Sequence, residues 1–296
     1  MQFVLAPFAL ALALALAAAD SPVLAHRSAT REGGPQTGTS RVSLAVVTDP
    51  RNRPIVDIGA DDFVIQEAGA AREVLSVRPA DYPIVILFDT GAGARDDVAT
   101  IRKAVERFID RIGDRPVAVG TFGDTAVMIA TFEDERSALG PKLDAAIANP
   151  HGQSVLTRGA ALGGQTIRTV QPLFAAIVIV SAAPLDEMPD TSEAVLAPII
   201  DSGAVVHVIA NRAGTGPGST SRAVTTIRSL AEQTNGEFTS IYSAASYQSA
   251  LDRLADRLST EMMVEYLVPN GSKPVDVKVG VRIPGARVRG LGVAPR

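Results

Sequence analysis

Apolar positions along the chain follow two rhythms, and the change between them divides the sequence. From Tyr82 onward, unbroken apolar runs alternate with stretches in which apolar residues recur every three or four positions. YPIVILF at 82–88, PVAVGTF at 116–122, FAAIVIVSAA at 174–183 and VVHVIAN at 205–211 are runs of the first kind. Such runs suit strands buried on both faces. Val98, Ile101, Val105, Phe108 and Ile112 mark the apolar face of a helix, read over Asp96–Gly113. Further helices are expected in DERSALGPKLDAAIAN, LTRGAALGGQTIRTV (with glycines against it), SEAVLAPIIDSG stopped by Gly203, AVTTIRSLAEQTNG ended by Gly236, and a last one lined by Tyr247, Leu251, Leu254 and Leu258. AVMIATF and EFTSIYS complete the strands, the former after a turn at Gly123-Asp124. This alternation predicts an α/β fold: a doubly wound, mostly parallel sheet flanked by helices.

On either side the rhythm is that of short strands. Val42, Leu44 and Val46 alternate as in a half-buried strand, TDPRNRP at 48–54 makes a turn, and Phe63–Gln66 and Glu73–Val77 resume strand-like sequence. Beyond Met262 come VEYLVPNG, PVDVKVGVRI and ARVRGLGV. The expected organisation is a small β domain built from residues 41–80 and 263–296, with the α/β domain of residues 82–262 inserted into it. Residues 26–40 are polar and glycine-rich, a flexible leader. Residues 1–25 contain an uncharged run from Phe3 to Ala19 and small residues suited to cleavage after Ala25 or Ala19, as in an export signal. The alternative is an uncleaved membrane anchor, since no Lys or Arg precedes the run. No later segment is long and apolar enough to span a bilayer.

Composition narrows the chemistry. Aromatics are only 4% of 296 residues, so Ala, Val, Ile and Leu must fill the core. A net charge of −4 gives no overall pull towards nucleic acid or membrane. The absence of cysteine removes thiol catalysis, Cys-ligated zinc and disulfides.

The stretch FDTGAGARDD at 88–97 invites three readings. As a phosphate turn it has Gly91 and Gly93, but Asp96 stands at the third glycine position. Asp96 and Asp97 would repel an anion there and suit the helix N-terminus as caps. As an aspartic-protease loop, Asp89-Thr90-Gly91 needs a second such triplet on a β hairpin, and the D-T at Asp190-Thr191 is followed by Ser. The third reading accounts for the layout of the whole chain.

VSLAVVTDPRNRPIV followed by DDFVIQEAG, then an α/β domain containing LAEQTNGEF at 230–238, then EYLVPNG, resembles the von Willebrand factor A (VWA) fold, and more closely the VWFA-related family of exported bacterial proteins. The resemblance runs from about Val42 to the end. It implies a divalent-cation adhesion site of the form D-x-S-x-S, with a Thr from a G-G-T loop and an Asp from T-D-G. Carried onto this chain, the first Asp is Asp89, both serines are replaced by Gly91 and Gly93, Ser154 of Gly152-Gln153-Ser154 stands for the threonine, and Ala182 of Ser181-Ala182-Ala183 replaces the second carboxylate. Asp89 and Ser154 are thus vestigial positions. Mg²⁺ or Mn²⁺ would be weakly held at best, unless Asp96 or Asp186 substitutes, and no cofactor is expected.

Other candidates are weaker. His151 lies near Ser154 in sequence, but GQSVL is no nucleophile elbow. His207, inside an apolar strand, is expected to be a buried, hydrogen-bonded core residue. The segment 264–296 carries six basic and two acidic side chains without interleaved aromatics, which does not suit nucleic acid. The resemblance therefore implies an exported, periplasmic or secreted, non-catalytic binding module of the adhesion or scaffold type. Its partner would be another protein or envelope component, met by the loops 91–97, 151–157, 184–192 and 212–222. The alternatives are a hydrolase, built on Asp89 or on His151/Ser154, and a structural envelope component with exposed edge strands at 275–293.

Overall fold

The computed structural model describes residues 38–146, 152–182, 192–212, 222–273 and 276–295. The expected signal of residues 1–25, the expected leader up to residue 37, His151, Asp186, Asp190-Thr191 and most of the loops 184–192 and 212–222 lie outside the described residues.

Four strands precede the α/β body: β1 (Gly38–Thr48), β2 (Phe63–Glu67), β3 (Ala70–Arg72) and β4 (Val74–Pro79). The body comprises β5 (Ile84–Asp89), α1 (Val98–Arg111), β6 (Val117–Phe122), β7 (Ala126–Ala130), α2 (Arg136–Ala146), α3 (Leu156–Val170), β8 (Ala176–Ser181), α4 (Glu193–Asp201), β9 (Val205–Asn211), α5 (Arg222–Gln233), β10 (Phe238–Ile241) and α6 (Ser246–Ser259). Then follow β11 (Met262–Pro269), β12 (Val277–Val281) and β13 (Arg287–Pro295).

The central sheet has the order β10-β9-β8-β5-β6-β7. All its pairings are parallel except the β6–β7 hairpin at one edge. Its middle strands β5, β6 and β8 are buried at every position, which is why they read as unbroken apolar runs. One face packs on α1 and α6 and the other on α3 and α5.

The terminal strands form two antiparallel sheets, β13-β1-β11-β4 and β12-β2-β3. Four sequence expectations need correction here. Gly38–Ser40, read as leader, are already strand, because pairing with Leu267–Pro269 satisfies their backbone. β1 is not half-buried: Val42 and Leu44 face the α/β core, while Ala45 and Val47 face the core between the two antiparallel sheets, leaving Val46 only half-buried. The helix read over Asp96–Gly113 spans only Val98–Arg111, after a separate 3-10 turn at Ala92–Ala94. Finally, α5 ends with Asn235 in the left-handed region (φ 61°), the role expected of Gly236.

Two buried polar links join the layers. Arg41 of β1 pairs with Glu67 of β2, both almost fully buried, so the ion pair bridges the two antiparallel sheets. Between β11 and the α/β body, Tyr82 donates to Glu261 at 2.5 Å, and the Arg115 guanidinium lies 4.4 Å from the centre of the Tyr82 ring. Burial raises the Glu261 carboxyl above its ordinary range, against the opposing pull of the Tyr82 hydrogen bond and of Arg115.

Candidate site at the C-terminal edge of the sheet

Asp89 is the last residue of β5 and is fully buried. A carboxylate cut off from water must be hydrogen-bonded where it stands. Its Oδ1 accepts the Gly91 backbone N–H at 2.9 Å and the Ser154 hydroxyl, and its Oδ2 accepts the Ala182 N–H at 3.1 Å. Three of the other four positions that the resemblance aligns with metal ligands, Gly91, Ser154 and Ala182, thus meet at the Asp89 carboxylate, from the ends of β5 and β8 and the loop before α3.

The loops are held close by the absence of side chains. A Cβ on Gly91 would fall 2.1 Å from Ser154 Oγ. Gly152 has φ +72°, and a Cβ there would fall 1.8 Å from the carboxyl carbon of Asp124. That carboxylate instead accepts the Gln153 N–H at 2.7 Å, while the Gly152 carbonyl accepts the Ala92 N–H at 2.8 Å. Loop 152–154 is therefore clasped between the β6–β7 turn and the turn after β5.

A second carboxylate stands beside this node. Asp97, read as a helix cap, makes no side-chain cap bond. Its Oδ2 accepts instead from Asn211 Nδ2 at 2.8 Å and from the Tyr247 hydroxyl at 3.3 Å, and that hydroxyl also lies 3.2 Å from the Ser181 carbonyl. Burial, with Asp97 adding to it, drives the Tyr247 phenol far above its ordinary range, so it stays a neutral donor. Asp97, Asn211 and Tyr247 tie α1, β9 and α6 to the end of β8. Sequence reasoning gave none of them this role, and the signal for it was slight: Asn211 closes an apolar strand and Tyr247 sits on an apolar helix face. Asp96 and Gly93 are exposed in the turn before α1.

These donors do not fit a divalent cation. Mg²⁺ wants near-octahedral oxygen coordination, with carboxylates in its inner sphere. Gly91, Gly93 and Ala182 bring no side-chain oxygen, which leaves one carboxylate, Asp89, and one hydroxyl, Ser154, bonded to each other. A carboxylate has about four acceptor positions, and protein donors take at least three of them here. Among the described residues no three acidic or histidine side chains converge. The arrangement gives the other readings little support. After Asp89 the chain enters a 3-10 turn and then α1, where an aspartic protease would continue as a hairpin. Ser154 Oγ is directed at a carboxylate, and the histidine proposed to activate it, His151, lies outside the described residues.

Among solved structures, the von Willebrand factor type A protein from Catenulispora acidiphila aligns with a TM-score of 0.51 at 13% identity, over 88% of this chain and 74% of that one. The chain has the von Willebrand factor A fold. Two further matches of lower score are a D319A mutant of the minor pilin PilB from Streptococcus sanguinis (TM-score 0.48, 12% identity, 62% of each chain) and the vWF domain of the type V pili tip protein Mfa5 from Porphyromonas gingivalis (0.47, 10%, 61% of this chain and 96% of that one). This chain thus spans less than two thirds of the minor pilin's length. No family model and no curated protein matches the sequence. Within the VWA fold, Asp89 sits where open α/β sheets gather their ligands, beyond the carboxyl ends of the strands.

Proposed function

We propose that the chain is an exported, non-catalytic protein-binding module whose partner docks on the loops beyond β5, β6, β8 and β9 without a bridging cation. The observation that carries this reading is the Asp89 carboxylate, taken up by donors of its own chain where a cation-dependent site would keep it open. The VWA fold shared with the Catenulispora acidiphila protein is compatible with an adhesion or scaffold role. Recognition then rests on loop shape and direct hydrogen bonds, with Tyr242 (62% exposed) just beyond β10 as one available anchor.

Two measurements test this. Calorimetric titration with Mg²⁺ and Mn²⁺, beside Asp89→Asn, is expected to show no saturable heat in either protein. Sub-millimolar binding lost in the variant would refute cation independence. Capture of envelope proteins on the immobilised chain should persist in EDTA and fall with Gly93→Arg or Tyr242→Ala. Capture indifferent to both substitutions would move the contact elsewhere. The alternative surface is the β13 edge of the four-stranded sheet, which favours the reading as a structural envelope component.

No helix among the described residues is long and apolar enough to cross a membrane.

A further inference from the structure

His207 was expected to be buried and hydrogen-bonded. It is buried, at 2% exposure, but its Nδ1 has no hydrogen-bond partner among the described residues. A polar ring atom sealed in a core without a partner costs about 1–3 kcal/mol, and such exceptions call for a reason.

His207, with its Nδ1 turned away from accessible space, lines a cavity of ≈ 190 Å³ between β9, the edge strand β10 and α6, whose walls include Glu237, Thr239, Ala250, Arg253 and Leu254. This is somewhat larger than an apolar cavity of about 150 Å³ that takes up benzene. It lies away from the Asp89 loops, being built from the strand bodies and the α6 face.

Charge decides the kind of occupant. Glu237 is neutralised by Arg257, whose Nη1 lies 2.9 Å from its Oε2. Arg253 makes no ion pair among the described residues, which leaves the cavity mouth with an excess positive charge. Burial, and to a lesser extent Arg257, pushes the His207 imidazole down to about 3. At neutral pH the ring is uncharged and offers one N–H. An ammonium ligand would meet Arg253 unfavourably, whereas a carboxylate would meet a guanidinium and a hydrogen-bond donor.

We propose that this cavity binds a small carboxylate with a compact apolar body, its carboxylate held by Arg253 and the His207 imidazole and its body packed on Ala250 and Leu254. The site is independent of the partner-binding reading and does not use its loops.

The test uses protein labelled with ¹⁵N-histidine. Of the three histidines in the chain, His207 is assigned as the one whose signal is missing from a His207→Gln variant. Sodium benzoate is the probe, and benzyl alcohol is its neutral counterpart of similar size. Benzoate is expected to shift the His207 ring resonances saturably, with half-saturation below about 1 mM. Arg253→Gln, at an exposed helix position, should weaken that binding at least tenfold, roughly. An unmoved His207 signal at about 10 mM benzoate overturns the proposal. So does an equal response to benzyl alcohol, or unchanged binding in Arg253→Gln.

Discussion

Ser154 lies 65 residues from Asp89 in sequence and donates its hydroxyl directly to that carboxylate. The consequence is a stability role for residues that elsewhere in the fold would be read as ligands. Asp89→Ala strands the Gly91 and Ala182 N–H groups and the Ser154 hydroxyl together, and should cost about 3–5 kcal/mol. Ser154→Ala removes one bond and should cost about 1 kcal/mol. Urea unfolding curves measure both. An Asp89→Ala protein as stable as the parent would show that water replaces these donors at little cost.

Helix propensity and packing make opposite forecasts for Gly164 inside α3. Propensity alone favours Ala by about 1 kcal/mol. A Cβ at this position, however, would fall 2.2 Å from the Pro198 carbonyl oxygen of α4, a backbone atom that cannot swing aside. Gly164→Ala should therefore lower the denaturation midpoint. A raised midpoint would mean that α3 and α4 can part without loss.

Stability should fall on the acid side through His207. Its folded-state value, about 3, lies below the ordinary 6.5. Between these values the unfolded chain binds a proton that the folded chain refuses. Stability then declines as the pH drops from 6.5 to 3, by up to about 5 kcal/mol. The groups around it are Arg257, Arg253 and Glu237. Glu261 acts in the opposite sense: its raised carboxyl favours the fold below pH 4.5, and that contribution is lost as the pH rises through its folded value. His207→Leu should flatten the 3–6.5 limb, and denaturant midpoints across that range would check it. An unchanged slope would place the proton elsewhere.

The Arg41–Glu67 pair bridges the two antiparallel sheets with both side chains buried, and Arg72 stands 3.6 Å from the other oxygen of Glu67. Glu67→Ala leaves two guanidinium groups without their counter-charge and should cost about 3–5 kcal/mol. Arg72→Ala, at the partly exposed edge, should cost about 1 kcal/mol or less. Thermal unfolding of the two variants side by side separates these outcomes.

Where the sequence was informative, the reason is burial. β5, β6, β8 and β9 are covered on both faces, so they read as apolar runs, and α1 and α6 carry clean apolar faces. The glycines of α3 read as a weakness because propensity is local. Gly163 and Gly164 instead let the helix press against Ile177 and Pro198, neighbours that sequence distance conceals. The three-residue strand β3 was too short to show a period. At the site, Asp89 and Ser154 could be placed through the resemblance, because each occupies a position in a short motif. The contact between them could not, nor could the meeting of Asp97 with Asn211 and Tyr247, since each depends on strand ends and helices far apart in the chain. Glu67 likewise belonged to a quoted motif, DDFVIQEAG, but its pairing with Arg41 required the register of the outer sheets.

The register of β4 against β11 sets Pro79 opposite Met262. The α/β body therefore leaves and rejoins the four-stranded sheet at a single place, like a pendant hung from two adjacent threads. β1 and β13 run antiparallel beside them, with Arg41 opposite Pro295. Tension applied at Gly38 and Pro295 would pass first into the ladder between β1 and β13 and peel it open from that end. The body that carries the loops around Asp89 stands outside this line of force. A partner gripping those loops would keep its contact surface undistorted until the outer ladder had begun to part.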